Sequence, residues 1–508
     1  MTLTYSLLIN GEFMEANSRQ AIINPASGEV IAEAALASKE DIETALASAR
    51  EAFDGGLWPR FSLAQRKEFL LKISQGILDK AQELARLETL NTGKPIKEST
   101  FMDIPSSAKT FEYFANHLEE YLGEETRDLE NARSRLVREP HGVAVLIVPW
   151  NYPLLIACWK LAQALAAGNT VILKPSSLTP LTVLELAKII DAAGLPKGTV
   201  NIINASGDTV GELLCADKRV DMISFTGSPE VGKKIIGYTA KNVKKMIMEL
   251  GGKSAGIVLK DADLELAVNG SLCSIFLNQG QMCTAMSRVF VEDDIYDKFI
   301  AEFTAKAKKI KLGAGLNYET QMGPLISQAQ REKVIEYVEK AKKEGAKLLC
   351  GGKVPENPEL KNGSFFEPTV FADVLPKMSI FQEEVFGPVV CVSKFSDTDE
   401  AVQLVNATDF ALACAIWSGD TALAQKLASQ INAGVCWINT YGMFYNEVPY
   451  GGFKQSGFGK ELGREGFLEY TRLKNIVIDQ TQGAGQRAVV GLPTAQATKP
   501  IVNYWYGL

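Results

Sequence analysis

The stretch 143–148 reads VAVLIV, apolar at every position, and is followed by TVIL at 170–173, VNII at 200–203, VDMISF at 220–225 and KMIM at 245–248. A strand with one wet face alternates polar and apolar residues; these runs do not alternate, so both of their faces must be covered. The intervals leave room for a crossover helix each time, and short buried strands separated by helices make a parallel sheet. The reading is an α/β fold on a doubly wound parallel sheet. Ligands bind such sheets beyond the carboxyl ends of the strands, which directs attention to the loops after Val148, Leu173 and Phe225.

Upstream, Leu8-Ile9-Asn10-Gly11-Glu12-Phe13 predicts a hairpin, because Asn-Gly suits a two-residue turn. Ser38 with Asp41 resembles a capping pair, and Ile42, Ala45, Leu46, Ala49 and Phe53 share one helical face before Gly55-Gly56. A second helical run covers about residues 62 to 90. The charge-dense stretch 121–138 reads as an exposed, extended segment and a boundary. Downstream lies a second α/β alternation: VFVED at 289–293, helices at 295–310 and 327–344, and strands near 367–371, 388–394 and 434–439. A strand-like NIVID at 475–479 precedes a Gly/Ala/Gln-rich linker that ends in IVNYWYGL.

Of the 508 residues, 46% are apolar and 22% charged, enough to bury large cores in two or three domains. The net charge of -7 has no basic patch behind it, so nucleic acid is not an expected partner. No run approaches the roughly 18 apolar residues of a membrane helix, and the start lacks a leader pattern; a cytoplasmic chain without membrane insertion is expected. Eight cysteines without a Cys-x-x-Cys pair read as mostly buried and reduced. With two histidines, His117 and His141, no metal site is expected, and a catalyst must draw on Cys, Glu, Lys and backbone groups.

Three places could carry chemistry. Phe225-Thr226-Gly227-Ser228-Pro229 runs from a strand into a helix and offers backbone donors to a phosphate, although an ordinary turn would read the same way. Cys283 ends the polar turn Asn278-Gln279-Gly280-Gln281-Met282 and is either a nucleophile or an inert packed thiol. Glu249, before Leu250-Gly251-Gly252, is a general base or a surface carboxylate.

Six segments occur together in a familiar order: Pro149-Trp150-Asn151-Tyr152-Pro153, Lys174-Pro175-Ser176, Phe225-Thr226-Gly227-Ser228, Glu249-Leu250-Gly251-Gly252-Lys253, Gln281-Met282-Cys283 and Glu384-Val385-Phe386-Gly387-Pro388. Over about residues 5 to 480 the chain resembles the aldehyde dehydrogenase superfamily. VCWINTYG and GGFKQSGFGKELG are most similar to its betaine-aldehyde dehydrogenase branch. The resemblance implies that Cys283 attacks the aldehyde carbon while Asn151 and the Cys283 N–H hold the oxyanion. It further implies hydride transfer to a nicotinamide, then hydrolysis of the thioester by water that Glu249 activates, with Lys160 and Glu461 relaying protons. For the dinucleotide it implies Lys174 at the adenosine ribose, Gly227 and Ser228 at the pyrophosphate, and Gly232 in close packing. Glu384 would bind the nicotinamide ribose, with Phe386, Trp150 and Leu250 alongside. Ser177 stands where strongly NAD-preferring members carry glutamate, so NAD is the principal expectation and NADP is not repelled.

For the substrate, Tyr152, Trp159 and Tyr450 match an aromatic box for quaternary ammonium, flanked by Met282 and Thr284; the bland alternative is that Tyr152 and Trp159 fill core. Leu277 breaks the box and points to a broader, more apolar aldehyde, long-chain or conjugated. The expected division is a dinucleotide-binding domain at 1–121 and 141–250, a catalytic domain at 251–462, oligomerisation segments at 122–140 and 463–482, and a tail at 483–508. A homotetramer or dimer is expected, with Tyr504-Trp505-Tyr506 of the tail packing on a neighbouring subunit. The rivals are a CoA-acylating enzyme and a crystallin-like protein that keeps the fold without catalysis.

Overall fold

The computed structural model describes residues 3–129 and 132–480; the tail expected at 483–508 lies outside the described residues. The apolar runs form the centre of an eight-stranded sheet. Its order is Gly457–Phe458, Lys245–Glu249, Met222–Thr226, Val143–Ile147, Thr170–Lys174, Val200–Ile202, Leu7–Ile9 and Glu12–Met14. The five inner strands run parallel, and the first of them in sequence, Val143–Ile147, sits at the centre with later strands added on both sides. That is the doubly wound arrangement.

The lack of alternation has the expected cause. Ala144, Leu146, Val171, Leu173, Met222 and Ile247 join the core shared with helices Leu63–Asp79, Ile104–Asn116, Pro153–Ala167 and Leu181–Ala193. Their neighbours Val143, Val145, Ile147, Ile172, Ile223 and Met248 join the opposite core, shared with helix Lys39–Asp54. Every inner-strand residue therefore meets a helix on its own side.

The sheet departs from a purely parallel one at both edges. The N-terminal hairpin, turning at Asn10 (φ 53°) and Gly11 (φ 70°), adds antiparallel through Leu8 to Ile202. At the other edge Gly457 pairs antiparallel with Glu249; its φ of 118° and its closeness to the Met248 carbonyl exclude a side chain. A loop of the second lobe is thus hydrogen-bonded to the strand that ends in Glu249. The capping pair forms as read, with Asp41 N–H donating to Ser38 Oγ at 3.1 Å and Ser38 N–H to Asp41 Oδ2 at 2.8 Å. The helical run expected over 62–90 is two helices, Leu63–Asp79 and Ala81–Thr92, because Lys80 leaves helical geometry at ψ 15°.

The second lobe is a seven-stranded sheet in the order Lys347–Cys350, Thr369–Ala372, Val389–Phe395, Arg288–Glu292, Ala255–Val258, Ala413–Trp417 and Val435–Ile438. Strands Ala255–Val258 and Ala413–Trp417 were not anticipated, since AGIV and ACAIW are short and rich in small residues. Between the lobes' outer ends, Thr471–Asp479 pairs antiparallel with Ala132–Pro140, which pairs with Glu125–Asp128. This arm is largely exposed, Leu473 and Val477 included. No helix among the described residues is long and apolar enough to cross a membrane, and they contain no cluster able to hold a metal ion.

Candidate active site

Helix Leu264–Phe276 ends in a turn that L residues seldom adopt: Asn278 at φ 45°, Gln279 at φ 58° and Gly280 at φ 71°. Left-handed backbone at a non-glycine residue costs about 1–3 kcal/mol and persists where the surroundings impose it. Gly280 is pressed against the Gly387 carbonyl, where a Cβ would lie 2.2 Å from the oxygen. The turn delivers Cys283 half-buried, with Sγ 3.1 Å from the Tyr450 hydroxyl. Burial pushes the thiol up to about 12, opposed by the Tyr450 hydrogen bond and helped by the carboxylates of Glu384 and Glu249. The resting group is therefore a thiol, and a base has to take its proton.

Glu249 ends its strand 3% exposed, and neither carboxylate oxygen has a hydrogen-bond partner among the described residues. Burial, then repulsion from Glu461, holds its carboxyl well above the usual range. A glycine at 451 makes room for it: a Cβ there would stand 2.4 Å from Glu249 Oε1. Glu461 itself is fully satisfied. Lys160 Nζ donates to Glu461 Oε1 at 2.6 Å, Ser224 Oγ at 2.8 Å and Gln163 Nε2 to Oε2 at 2.8 Å, with Tyr470 at 3.2 Å from both oxygens. The two residues expected as a proton relay thus form one buried ion pair.

Asn151 is buried, its Nδ2 donating 2.8 Å to the Gln281 carbonyl two residues before the thiol. Residues 249–252 press on the same loop, for a Cβ on Gly252 would lie 2.2 Å from the Cys283 carbonyl. Sequence-distant elements from both lobes therefore converge on one sulfur.

Around it stands an aromatic wall. Tyr450 packs edge-on to Trp159 at 5.5 Å and to Phe444 at 5.6 Å, and Phe444 to Trp437 at 5.6 Å. Thr284 Oγ1 lies 3.2 Å from the Tyr441 hydroxyl, which also reaches Met282 Sδ at 3.9 Å. Leu277 is half-buried against the same apolar cluster. Tyr152 departs from a free box wall: Lys94 Nζ already lies 4.0 Å from its ring centroid, so an internal cation sits on one face.

The carboxyl ends of the inner strands carry groups that suit an anion and a ribose. Ser228 caps helix Pro229–Thr239 from the strand end, beside Gly227. Gly232 packs on Leu250, leaving no room for a side chain. Lys174 is 7% exposed, its ammonium has no acceptor among the described residues, and burial pulls it down to about 8. Ser177 is half-buried in the same loop. Glu384 accepts from Gly252 N–H at 2.8 Å and is pushed up to about 7 by burial. Phe386, at φ 57°, meets Trp150 edge-on at 5.1 Å. A buried lysine without an acceptor, the helix start at Ser228 and a buried carboxyl at Glu384 are groups that a dinucleotide's hydroxyls and phosphates fit.

The model of the aldehyde dehydrogenase family matches residues 13–476. Betaine aldehyde dehydrogenase of Bacillus subtilis (strain 168) is 47% identical over 477 residues, covering 93% of this chain and 97% of that protein. Retinaldehyde dehydrogenase 3 of Rattus norvegicus is 42% identical over 476 residues, covering 93% and 92%. Among solved structures, betaine aldehyde dehydrogenase from Staphylococcus aureus in complex with NAD+ superposes with a TM-score of 0.92 at 42% identity, covering 94% of this chain and 96% of that one. The chain belongs to the aldehyde dehydrogenase family. It is an NAD(P)-dependent oxidoreductase that acts on aldehydes.

Several residues that complete this aldehyde dehydrogenase site escaped the sequence reading. Phe444, Tyr441 and Trp437 form much of the aromatic wall, and Gln163, Ser224 and Tyr470 finish the Glu461 network. The run Trp437-Ile-Asn-Thr-Tyr441-Gly-Met-Phe444-Tyr445 is a usable signal, being dense in rings where strand Val435–Ile438 passes into a loop. One cysteine also departs from expectation: Cys273 is exposed rather than packed.

Proposed function

We propose that this aldehyde dehydrogenase is hydrolytic and acts on a small aldehyde of the betaine aldehyde type. Cys283 passes its proton to water, which carries it to solvent, and attacks the carbonyl carbon, forming a thiohemiacetal whose oxyanion meets the Asn151 amide and the Cys283 N–H. Lys174, Ser228 and Glu384 would hold NAD(P), which would supply the hydride acceptor; Cys283 keeps the thiohemiacetal carbon in place while it gives up hydride and is left carrying the thioester. Glu249 then takes a proton from water, which attacks the thioester, frees the acid and restores the thiol. A carboxyl held above its usual range by burial suits taking a proton from water and handing it to the departing Cys283 thiolate.

The observation that carries the substrate reading is Tyr450. Its hydroxyl touches the nucleophile while its ring stands with Trp159 and Phe444, so a cationic head on those rings leaves the carbonyl at the sulfur. A second reading rests on Leu277, an aliphatic side in the same wall that favours a longer or conjugated apolar aldehyde. Betaine aldehyde, hexanal, benzaldehyde and a polyene aldehyde, each with NAD+ and NADP+, separate the two by kcat/KM. Preference for hexanal over betaine aldehyde removes the cationic reading; release of acid without CoA removes the acylating rival.

Assembly belongs to the same proposal. The exposed arm of 125–140 and 471–479, with Leu473, Val477 and Ile478 uncovered, supports a homo-oligomer. Eight free thiols support a reducing, cytoplasmic setting. Sedimentation of the chain with Leu473→Lys and Val477→Lys tests the arm; an unchanged species would remove it from the interface.

A further inference from the structure

Beneath the Cys283 loop lies a buried set of charges that the chemistry above does not use. Glu88, Lys94, Glu98 and Asp103 are each less than a tenth exposed. Lys94 Nζ lies 2.7 Å from Asp103 Oδ2 and 3.9 Å from Glu88 Oε1, and Glu88 Oε2 accepts from Thr182 Oγ1 at 2.6 Å. Lys94 therefore pairs closely with Asp103 and at longer range with Glu88, one cation shared between two carboxyl groups. Glu98 stands apart: it makes no ion pair within 4.0 Å among the described residues, and its oxygens face the backbone N–H of Asn278 at 3.3 and 3.1 Å. It ends the turn Ile96–Glu98, where the helix widens into the π-helical turn Ser99–Asp103, a feature that recurs at functional sites.

Asn278 is the first left-handed residue of the turn before the nucleophile. Its side-chain Nδ2 donates to the Asn151 carbonyl at 3.1 Å and to the Gln281 carbonyl at 3.3 Å, and the Gln281 carbonyl also receives Asn151 Nδ2 at 2.8 Å. Holding the Asn278 backbone thus holds the oxyanion donor and the residue two before Cys283 in one arrangement. A turn in an unfavourable conformation needs such an outside hold. Burial pushes the Glu98 carboxyl up to about 8, so near neutral pH it holds the Asn278 N–H chiefly as a neutral acceptor, a task that needs an oxygen at this reach and that an apolar side chain does not perform.

We infer that Glu98 is a positioning residue: its carboxyl oxygens hold the Asn278 N–H, and through Asn278 keep Asn151 and Cys283 in register for attack on the carbonyl. It touches neither substrate nor dinucleotide. The inference rests on the roles given to Cys283 and Asn151 above, and the Cys283→Ala enzyme tests those separately: turnover in that variant overturns the roles whatever Glu98 does.

The full-length enzyme is assayed as Glu98→Ala and Glu98→Gln with the best aldehyde of the panel, alongside NAD+ affinity by fluorescence titration and Cys283 alkylation by iodoacetamide. Glutamine keeps an acceptor oxygen at the same reach; alanine removes it. The expected result is kcat lowered at least tenfold in Glu98→Ala, with NAD+ Kd within twofold, and recovery to within threefold of wild type in Glu98→Gln. Unchanged kcat in Glu98→Ala overturns the assignment, as does a loss in Glu98→Gln equal to that in Glu98→Ala. If alanine prevents folding, Glu98→Met, of similar length without the acceptor, is read by the same criteria. A chain that folds with neither makes Glu98 a folding residue and also overturns it.

Discussion

The Tyr450 hydroxyl lies 3.1 Å from the sulfur of Cys283, a contact between residues 167 positions apart. It is the hydrogen bond that favours the thiolate against a burial that otherwise holds the thiol at about 12. Because that value lies far above neutrality, the thiolate fraction of the coenzyme-free enzyme should rise about tenfold per pH unit from 7 to 9. Iodoacetamide rates should follow with a slope near one in log units. A plateau near pH 7 would mean a thiol already ionised and a different site. Tyr450→Phe should slow alkylation at pH 8 by about tenfold, since a charge-assisted bond of this kind contributes about 1.5–3 kcal/mol.

Glu249 is poised for deacylation by its unpartnered, buried carboxylate. Glu249→Gln should release about one equivalent of reduced coenzyme per site in a burst and then stall, with steady-state kcat down about 10²–10⁴-fold. Stopped-flow absorbance at the reduced nicotinamide band reads both phases. Steady turnover within tenfold of wild type would assign the base elsewhere.

The Lys160–Glu461 pair is buried at 2.6 Å. Removing one partner strands a charge, so Lys160→Met and Glu461→Gln should each destabilise the fold, by about 3–5 kcal/mol for the loss of one ion from such a pair. The double variant Lys160→Met/Glu461→Leu should recover part of that loss, because both charges go together. Thermal midpoints of the three chains check this, and additive losses would show that the pair is not coupled.

Lys174 carries an ammonium pulled down to about 8 by burial alone. A lowered lysine is charged below that value and neutral above it, so NAD+ affinity should weaken as pH rises through about 8. Lys174→Met should raise the NAD+ Kd about tenfold, equal to about 1.4 kcal/mol, and lose the pH dependence. Calorimetric titration at pH 7 and pH 9 distinguishes these outcomes.

Much of this molecule is legible without coordinates. The unalternating runs that became Val143–Ile147 and its parallel neighbours announce a sheet covered on both faces, and the residues around Asn151, Glu249 and Cys283 stand in motifs short enough to be seen. The edges were less legible. Nothing in Gly457 and Phe458 declares that they pair with the strand ending in Glu249, and Tyr441 and Phe444, which join Trp437 of strand Val435–Ile438, occupy a loop with no period to mark their direction.

Local order and chemistry were decided by sequence: which segments are strands or helices, where Ser38 and Asp41 cap, and which residues can act as nucleophile, base or donor. These follow from side-chain periodicity, caps and functional groups, all short-range properties. Tertiary structure alone decided that Glu461 is locked to Lys160, that a cation already lies on Tyr152, and that Glu98 grips the turn before Cys283. Such pairings join residues up to about three hundred positions apart, and the energy that selects them arises only when water is excluded and a buried charge must find its partner.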